Sequence, residues 1–174
     1  MTKVIAGVDM SLTNTGIIVL QDGKIIREEN IKSKPTGASP INELNRIIQI
    51  MESIVETIRG ADLIVIEGLA FAIRNTRSLV QLSGLNYMVR KEIKDTPFVI
   101  VPPTTLKKFV TGKGNSKKDV MLLETYKRYG VSFTDDNTCD AFGLAKIGEA
   151  LLDDKIKLTI PQAEVVELLK EQII

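Results

Sequence analysis

Four acidic residues stand at the ends of predicted elements, in a chain that contains no histidine. Asp9 and Glu67 each follow an apolar run that predicts a buried strand, whereas Asp136 and Asp140 lie four residues apart where a helix is predicted to begin. A carboxylate at the end of a buried strand is costly unless a positive group binds it. Oxygen ligands without imidazole favour Mg²⁺, with Mn²⁺ as a substitute, over zinc. These residues therefore predict a carboxylate-only, metal-dependent active site.

The chemistry of such a site follows from how the four carboxylates would meet. If the first strand is central and the strand before Glu67 lies near it, Asp9 and Glu67 leave the same end of the sheet. A spacing of four residues places Asp136 and Asp140 on one face of a helix, although either Asp135 or Asp136 can instead cap that helix. Two divalent cations roughly 4 Å apart would offset the repulsion and suit in-line phosphodiester hydrolysis. Since histidine is absent, the general base would be a carboxylate or metal-bound hydroxide, so we expect the metal to be required.

Composition predicts a single globular domain spanning residues 1–174. The 44% hydrophobic and 26% charged residues are typical of a soluble protein with a real core. No apolar run approaches the ~20 residues of a membrane span, and Met1-Thr2-Lys3 leads directly into a strand, so we expect no signal peptide and no membrane association. The single cysteine, Cys139, cannot form an internal disulfide, which favours a reducing cytoplasm.

Basic residues are concentrated in one segment, although the whole chain carries a net charge of only +1. Between residues 104 and 130, seven basic residues face two acidic ones, a local net charge of +5, which leaves about −4 for the rest. This segment is either a solvated lysine-rich surface or a nucleic-acid contact. Trp is absent and only eight residues are aromatic, so any base-stacking surface would be small.

Hydrophobic periodicity predicts an α/β fold. Residues 4–8, 17–20 and 25–29 are predicted as three successive antiparallel strands, with an Asp22-Gly23 turn before the third. Two short apolar strands follow at residues 63–66 and 98–101, each reached through a helix, as in parallel sheets. Helices are predicted at residues 41–58, 77–94, 104–110, 117–129, 137–152 and 162–174. We therefore expect a mixed sheet, antiparallel at first and parallel later, flanked by helices.

Five motifs occur in order along the chain. They are Gly7-Val8-Asp9-Met10-Ser11 with Thr15-Gly16, then Ile64-Val65-Ile66-Glu67, Val101-Pro102-Pro103, a basic glycine-rich segment at residues 110–118, and a helical motif from Asn137 through Asp140-Ala141 to Ala145. From about residue 4 to 150, this ordered set resembles RuvC-type Holliday junction resolvases of the RNase H-like nuclease superfamily. The resemblance is greatest to the small versions from phages of Gram-positive bacteria. The first motif alone is unspecific, because sugar kinases and actin-like ATPases also begin with Gly-x-Asp.

The resemblance implies a Mg²⁺-dependent endonuclease that resolves four-way DNA junctions by paired cuts, in the cytoplasm of a bacterial or phage-infected cell. It implies a homodimer, because paired cuts in a nearly two-fold substrate need two sites, and it places the helix over residues 77–94, with Ser83 and Gly84, at or near the interface. One of Lys107, Lys117 and Lys118 would polarise the scissile phosphate, and the catalytic set includes Lys117. Five lysines would lie along the DNA backbone: Lys107, Lys108, Lys113, Lys117 and Lys118.

Two positions depart from the family pattern. The family has an acid or histidine three residues before the final Asp, where this chain has Asn137, so the fourth metal ligand is either Asn137 or, as we slightly favour, Asp136. The family also has an aromatic residue three positions after the second acid that stacks on bases. Here Ala70 takes that position and Phe71 follows it, so Phe71 is either a DNA contact or a core residue.

Other functions remain as alternatives. A related nuclease with wider substrate choice, such as a debranching enzyme or an RNase H, would carry the same motifs. An ATP-binding actin-like or sugar-kinase fragment is disfavoured because no second Asp-Gly phosphate motif is present. A DNA-binding protein without catalysis is disfavoured by the three matching acids but favoured by Asn137.

Overall fold

The computed structural model, which describes residues 2–37, 39–69 and 75–173, is built around a five-stranded mixed sheet. The first three strands pair antiparallel, and the last two run parallel to the first, in the spatial order β3-β2-β1-β4-β5. This confirms the predicted α/β fold with the first strand at the centre. The strands are β1 (Val4–Asp9), β2 (Asn14–Gln21), β3 (Lys24–Lys32), β4 (Leu63–Glu67) and β5 (Phe98–Val101).

Six α-helices and one short 3₁₀ helix flank the sheet. The last α-helix begins at Ile160, not at Gln162 as predicted, because the Thr159 and Gln162 side chains form a capping box around its first turn. It ends at Lys170 and continues as a 3₁₀ turn. The elements are α1 (Pro40–Thr57), α2 (Thr76–Glu92), α3 (Pro103–Thr111), α4 (Lys118–Tyr129), α5 (Asp136–Leu152), α6 (Ile160–Lys170) and η1 (Glu171–Ile173).

The hairpin that joins β2 and β3 is longer than predicted. Asp22 and Gly23 both have positive φ angles, 50° and 78°, as a two-residue hairpin turn requires. Asn14 pairs with Lys32 across the two strands, so β2 begins three residues before, and β3 ends three residues after, the predicted bounds. The polar Asn14-Thr15-Gly16 segment resembles a turn in sequence, but the neighbouring strands supply hydrogen-bond partners that make it a strand.

The two faces of the sheet have separate cores, because successive strand residues point to opposite faces. Ala6 and Val8 of β1 pack with residues of α1 and α2, whereas Ile5 packs with residues of α5. The α5 helix is apolar nearly all round, as expected for a helix covered on several sides. It lies against the sheet on one side and against α3, α4 and α6 on the others. No helix among the described residues is long and apolar enough to cross a membrane.

Two glycines allow α5 to pack directly on the strand backbones. A Cβ atom at Gly7 of β1 would collide with the carbonyl of Ala141, and one at Gly16 of β2 would collide with the backbone of Asn137. Both collisions involve backbone atoms, which cannot move aside without shifting the helix. Glycine in the first motif therefore fixes the distance between the central strands and the start of α5.

Candidate active site

The register of the sheet brings Asp9 and Glu67 together. Val8 of β1 pairs with Ile66 of β4 in a parallel ladder, so the next residues, Asp9 and Glu67, leave neighbouring strands at the same edge. Only 7% of Asp9 is exposed, and its carboxyl group lies within hydrogen-bonding reach of that of Glu67. The predicted convergence of these two acids is confirmed.

The pKa values of both carboxyl groups are raised above their usual values, chiefly by burial. Burial, followed by the charge of Glu67, raises the pKa of Asp9 well above its usual value. Burial also raises the pKa of Glu67, and the charge of Asp140 adds to this effect, whereas Lys107 and Lys118 work against it. Two buried carboxyl groups in contact resist ionising together unless a cation joins them.

Asp140 approaches the same edge from α5. Its pKa is raised to about 7, first by burial and then by the negative charge of Asp9. The close packing of α5 on β1 accounts for this proximity. Asp9, Glu67, Asp136 and Asp140 are called the acidic site below.

The N-terminus of α5 is capped by Asp135, and Asp136 is the first residue of the helix. The Asp135 carboxylate accepts hydrogen bonds from the backbone N–H groups of Asn137 and Thr138, at 3.0 and 3.2 Å. Of the two possible caps, the structure therefore uses Asp135. This leaves the Asp136 carboxylate free to pair with the ammonium group of Lys118, 2.9 Å away.

The Asn137 side chain forms a contact between α5 and β2. Its side-chain Nδ2 donates to the backbone carbonyl of Asn14 at 2.5 Å, which ties the start of α5 to the start of β2. The Asn14 side chain in turn donates to Asp135 Oδ2 at 2.7 Å. Burial opposes ionisation of Asp135, but hydrogen bonds from Asn14, Thr138 and Asn30 outweigh it and lower its pKa. The role of Asn14 and Asn30 has no signal in the sequence, because their contact with residue 135 depends on the fold.

The first motif has its own local structure. The Thr15 hydroxyl donates to the carbonyl of Ser11 at 2.8 Å and accepts from the backbone N–H of Ser11 at 3.0 Å. These reciprocal bonds close the loop that follows Asp9, and Thr15 is fully buried. The spacing of Ser11 and Thr15 in the motif thus supports the loop next to the acidic site.

The predicted basic residues occupy different positions relative to the acidic site. Lys107 and Lys118 both act electrostatically on Glu67 and Asp140, whereas Lys117 is exposed and precedes α4 as its N-cap residue. Lys108 pairs with Glu164 at 2.6 Å. Lys113 is exposed. Its carbonyl accepts from the Thr111 and Ser116 hydroxyls.

Phe71 lies outside the described residues, so its predicted stacking role stays a prediction.

Comparison with known proteins bears on the fold. No protein-family model matches the chain, and no curated protein sequence matches it. Among solved structures, Thermus thermophilus RuvC in complex with a Holliday junction substrate is 19% identical, with a TM-score of 0.68; the match covers 82% of this chain and 90% of that one. The fold is that of RuvC-type resolvases.

Two further resolvase structures share this RuvC-type fold. The yeast mitochondrial Holliday junction resolvase is 12% identical with a TM-score of 0.59, over 97% of this chain and 82% of that one. The fowlpox virus resolvase in complex with substrate Holliday junction DNA is 14% identical with a TM-score of 0.55, over 86% and 99%. The RNase H-like fold expected from the motifs is therefore confirmed.

The raised pKa of Asp140 predicts how metal-free stability depends on pH. Folding raises this pKa from 3.8 to about 7, so the native state binds a proton that the unfolded chain has already released. Stability without metal should therefore fall as pH rises from about 4 to about 7. We expect Asp140→Asn to remove part of this fall and to stabilise the metal-free protein at pH 8 by about 2 kcal/mol.

Thermal melts in EDTA at pH 5 and pH 8 measure this effect. Glu52→Gln, at an exposed site on α1, is the matched control and should follow the wild type. An Asp140→Asn variant that loses as much stability between the two pH values as the wild type would contradict the assignment of this group.

Proposed function

We propose that the chain is a Mg²⁺-dependent, structure-selective endonuclease that resolves four-way DNA junctions in the cytoplasm of a bacterial or phage-infected cell. The observation that carries this proposal is the convergence of Asp9, Glu67 and Asp140 at one sheet edge, with Lys107 and Lys118 beside them. Acidic groups beside cations suit a phosphodiester, because the acids can hold a metal and the lysines can bind the phosphate. The RuvC-type fold supports the choice of a junction as substrate.

The residues present fit a divalent cation by their chemistry. Among the described residues, no group of three Asp, Glu or Cys side chains already stands at metal-holding geometry. The buried carboxyl groups nevertheless offer hard oxygen donors, and burial together with their mutual repulsion raises their pKa values, which a bound cation would offset. Asp9, Glu67 and Asp140 would hold Mg²⁺, in our proposal as a pair of ions, with Asp136 as fourth ligand. The metal would supply Lewis-acid charge for phosphodiester hydrolysis.

The chain's own residues would bind and orient the DNA phosphates. Lys118 pairs with Asp136, and its position beside the carboxylates allows it to turn toward a phosphate once the acidic site is neutralised. Lys107 lies on α3 and, like Lys118, acts electrostatically on Glu67 and Asp140. Lys117, exposed just before α4, would contact the DNA backbone. One of Lys107, Lys117 and Lys118 would polarise the scissile phosphate.

A panel of labelled DNAs tests the proposed activity. Four-way junctions, forks, linear duplex and an RNA–DNA hybrid are incubated with the protein, with and without Mg²⁺. We expect cleavage of junctions with Mg²⁺ only, and little cleavage of duplex or hybrid. Equal cleavage of forks and junctions would indicate a debranching nuclease, cleavage of the hybrid an RNase H, and binding without any cleavage an inert junction-binding protein.

The lysines at the start of α4 should contribute to DNA affinity in a salt-dependent way. Replacing Lys117 and Lys118 with Ala should weaken junction binding and reduce the slope of log affinity against log salt by about 1 to 2, because each lost phosphate contact releases one counterion fewer. We expect Lys118→Ala alone to slow cleavage more than Lys117→Ala, since only Lys118 pairs with an acid of the site.

Titrations of a labelled junction at several salt concentrations measure the slope. Lys155→Ala, on an exposed segment after α5, is the control and should leave it unchanged. An unaltered slope in the double variant would show that these lysines are solvated surface residues that do not contact the DNA phosphates.

We further propose that the active form is a homodimer formed through α2. Val80, Gly84 and Tyr87 lie on one exposed stripe of this helix, and a Cβ atom at Gly84 would meet no atom of the described residues within 4 Å. Val80 is 65% and Tyr87 is 68% exposed. Exposure of large apolar side chains along one helix face is typical of a surface that a partner covers. The open glycine between them lets another helix approach closely.

Replacing Tyr87 with Glu should shift the protein from dimer to monomer, because the charge would be buried in the proposed interface. Sedimentation equilibrium measures the change. Tyr126→Glu, at an exposed tyrosine on α4, is the matched control and should remain dimeric. A Tyr87→Glu variant that stays dimeric would place the interface elsewhere.

A further inference from the structure

A cavity of about 1110 Å³ lies at the end of the sheet opposite the acidic site. It is bounded by the start of β1, the β2–β3 turn, the end of α4, the second half of α5, residues 153 and 156–159 and the start of α6. Ile5 lines it and precedes Asp9 by four residues on β1, a separation of about 13 Å. We call it the distal cavity. Its volume matches or exceeds that of typical small-molecule sites.

The wall of the distal cavity carries a nearly buried ion pair. Lys146 and Glu149 lie one turn apart on α5, with their charged groups 2.7 Å apart and their side chains 13% and 11% exposed. The Lys146 ammonium also lies 5.4 Å from the ring centroids of Tyr129 and Phe142. A buried ion pair adds little net stability compared with apolar packing. Both residues line the distal cavity, so the pair gives its wall a polar, nearly buried surface.

A buried amide and a phenol add to this polar set. Gln162, 4% exposed, donates from Nε2 to the hydroxyl oxygen of Tyr129 at 3.3 Å. The Gln162 Oε1 atom accepts from the Thr159 backbone N–H and hydroxyl, so the amide orientation is fixed. The Tyr129 hydroxyl donates to no residue in the described part of the chain, which leaves its hydrogen available to a ligand.

The mouth of the distal cavity presents unpaired cations. Arg128 and Lys157 line it, and neither forms an ion pair or side-chain hydrogen bond with residues 2–37, 39–69 or 75–173. Two carboxylates, those of Asp22 and Asp153, also line the cavity, and Asp153 accepts the backbone N–H of Lys155. A guanidinium with free donors favours a planar or tetrahedral anion. The apolar part of the lining consists of Ile5, Phe109, Ala150, Leu152, Ile156 and Leu158.

We propose that the distal cavity binds an organic anion with an apolar body, which packs against this lining while its carboxylate, sulfonate or phosphate group meets Arg128 and Lys157. The Tyr129 hydroxyl would donate to the ligand from the wall. This inference does not rest on the proposed nuclease activity, because the cavity shares no residue with the acidic site.

Two dyes with the same apolar body test the proposal. The anionic probe is 8-anilinonaphthalene-1-sulfonate, and the neutral one is N-phenyl-1-naphthylamine. We expect one molecule of the anionic dye to bind per chain. In the Arg128→Gln, Lys157→Gln double variant its affinity should fall about tenfold, because charge-assisted contacts are lost, while that of the neutral dye stays within about twofold. Lys155→Gln is the matched control, since Lys155 belongs to the same segment but does not line the cavity; it should change neither affinity.

A blocking substitution tests the location. Leu152→Trp, at a partly exposed position on the lining, should abolish binding of both dyes without altering the melting temperature, and Ile156→Trp replaces it if it fails to fold. Decanoate and decyl phosphate should displace the anionic dye better than decanol does, and the stronger competitor identifies the preferred anion. The proposal is overturned if many dye molecules bind per chain, if both dyes lose affinity equally in the double variant, or if a folded tryptophan variant still binds.

Discussion

Asp9→Asn and Glu67→Gln should each lower Mg²⁺-dependent cleavage of four-way junctions by about 100-fold or more, while junction binding stays nearly intact. Each substitution preserves the shape of the side chain and removes one charge from the proposed metal ligands, where electrostatic contributions to phosphoryl chemistry are largest. Binding should survive because phosphate contacts elsewhere, such as those of Lys117, supply most of the affinity. Neither variant should be less stable than the wild type without metal, because the substitution relieves the contact between two buried carboxyl groups.

Single-turnover cleavage and gel-shift titration measure the two effects on the same junction. Glu52→Gln, at an exposed position on α1 outside the acidic site, should match the wild type in both. If either Asp9→Asn or Glu67→Gln cuts at near the wild-type rate, the acidic site is not the catalytic centre.

The second large effect concerns the fourth ligand. We expect Asp136→Asn to be about as damaging to cleavage as Asp140→Asn, and to raise the Mg²⁺ concentration needed for half-maximal rate. Asn137→Ala should leave the Mg²⁺ requirement alone and lower the melting temperature, because its amide holds Asn14 of β2. Since Asp135 provides the helix cap, Asp136 is free for this role, and a charged ligand holds Mg²⁺ better than an amide.

Cleavage rates of the three variants across a Mg²⁺ titration, together with their melting temperatures, decide between the two ligands. Asp135→Ala is the control for capping and should lower the melting temperature by removing bonds to two backbone N–H groups. The opposite order, with Asn137→Ala shifting the Mg²⁺ requirement and Asn137→Asp increasing the rate, would assign the ligand to residue 137.

The sheet could be predicted because its strands are short apolar runs with distinct boundaries. Residues 98–101 were predicted with the bounds that β5 has, and Leu63–Glu67 extends the predicted fourth strand by one residue. Residues 14–16 lie outside the predicted second strand, since Asn and Gly are uncommon in strands; pairing with β3 overrides that preference. The early start of α6 has a signal in the sequence, the Thr159 and Gln162 capping box, which hydrophobic periodicity does not include.

The residues of the acidic site could be predicted from the sequence, whereas the residues that contact and position them could not. Asp9 and Glu67 follow adjacent parallel strands, so their meeting depends only on strand order. The choice of Asp135 as cap, and the contact of Asn14 with it across 121 residues, depend on how α5 lies on β2. The pairing of Lys118 with Asp136 likewise depends on the angle between α4 and α5. Sequence spacing predicts residues that share an element, whereas contacts between elements require the fold.

The central claim is that the acidic site makes this chain a metal-dependent junction nuclease. The most direct measurement uses a four-way junction labelled in turn on each strand, incubated with the wild type and with Asp9→Asn. We expect paired cuts at symmetric positions near the crossover on two opposing strands, in Mg²⁺ and only with the wild type. Cuts that persist in EDTA or with Asp9→Asn, or an intact junction that the wild type binds in Mg²⁺, would contradict it.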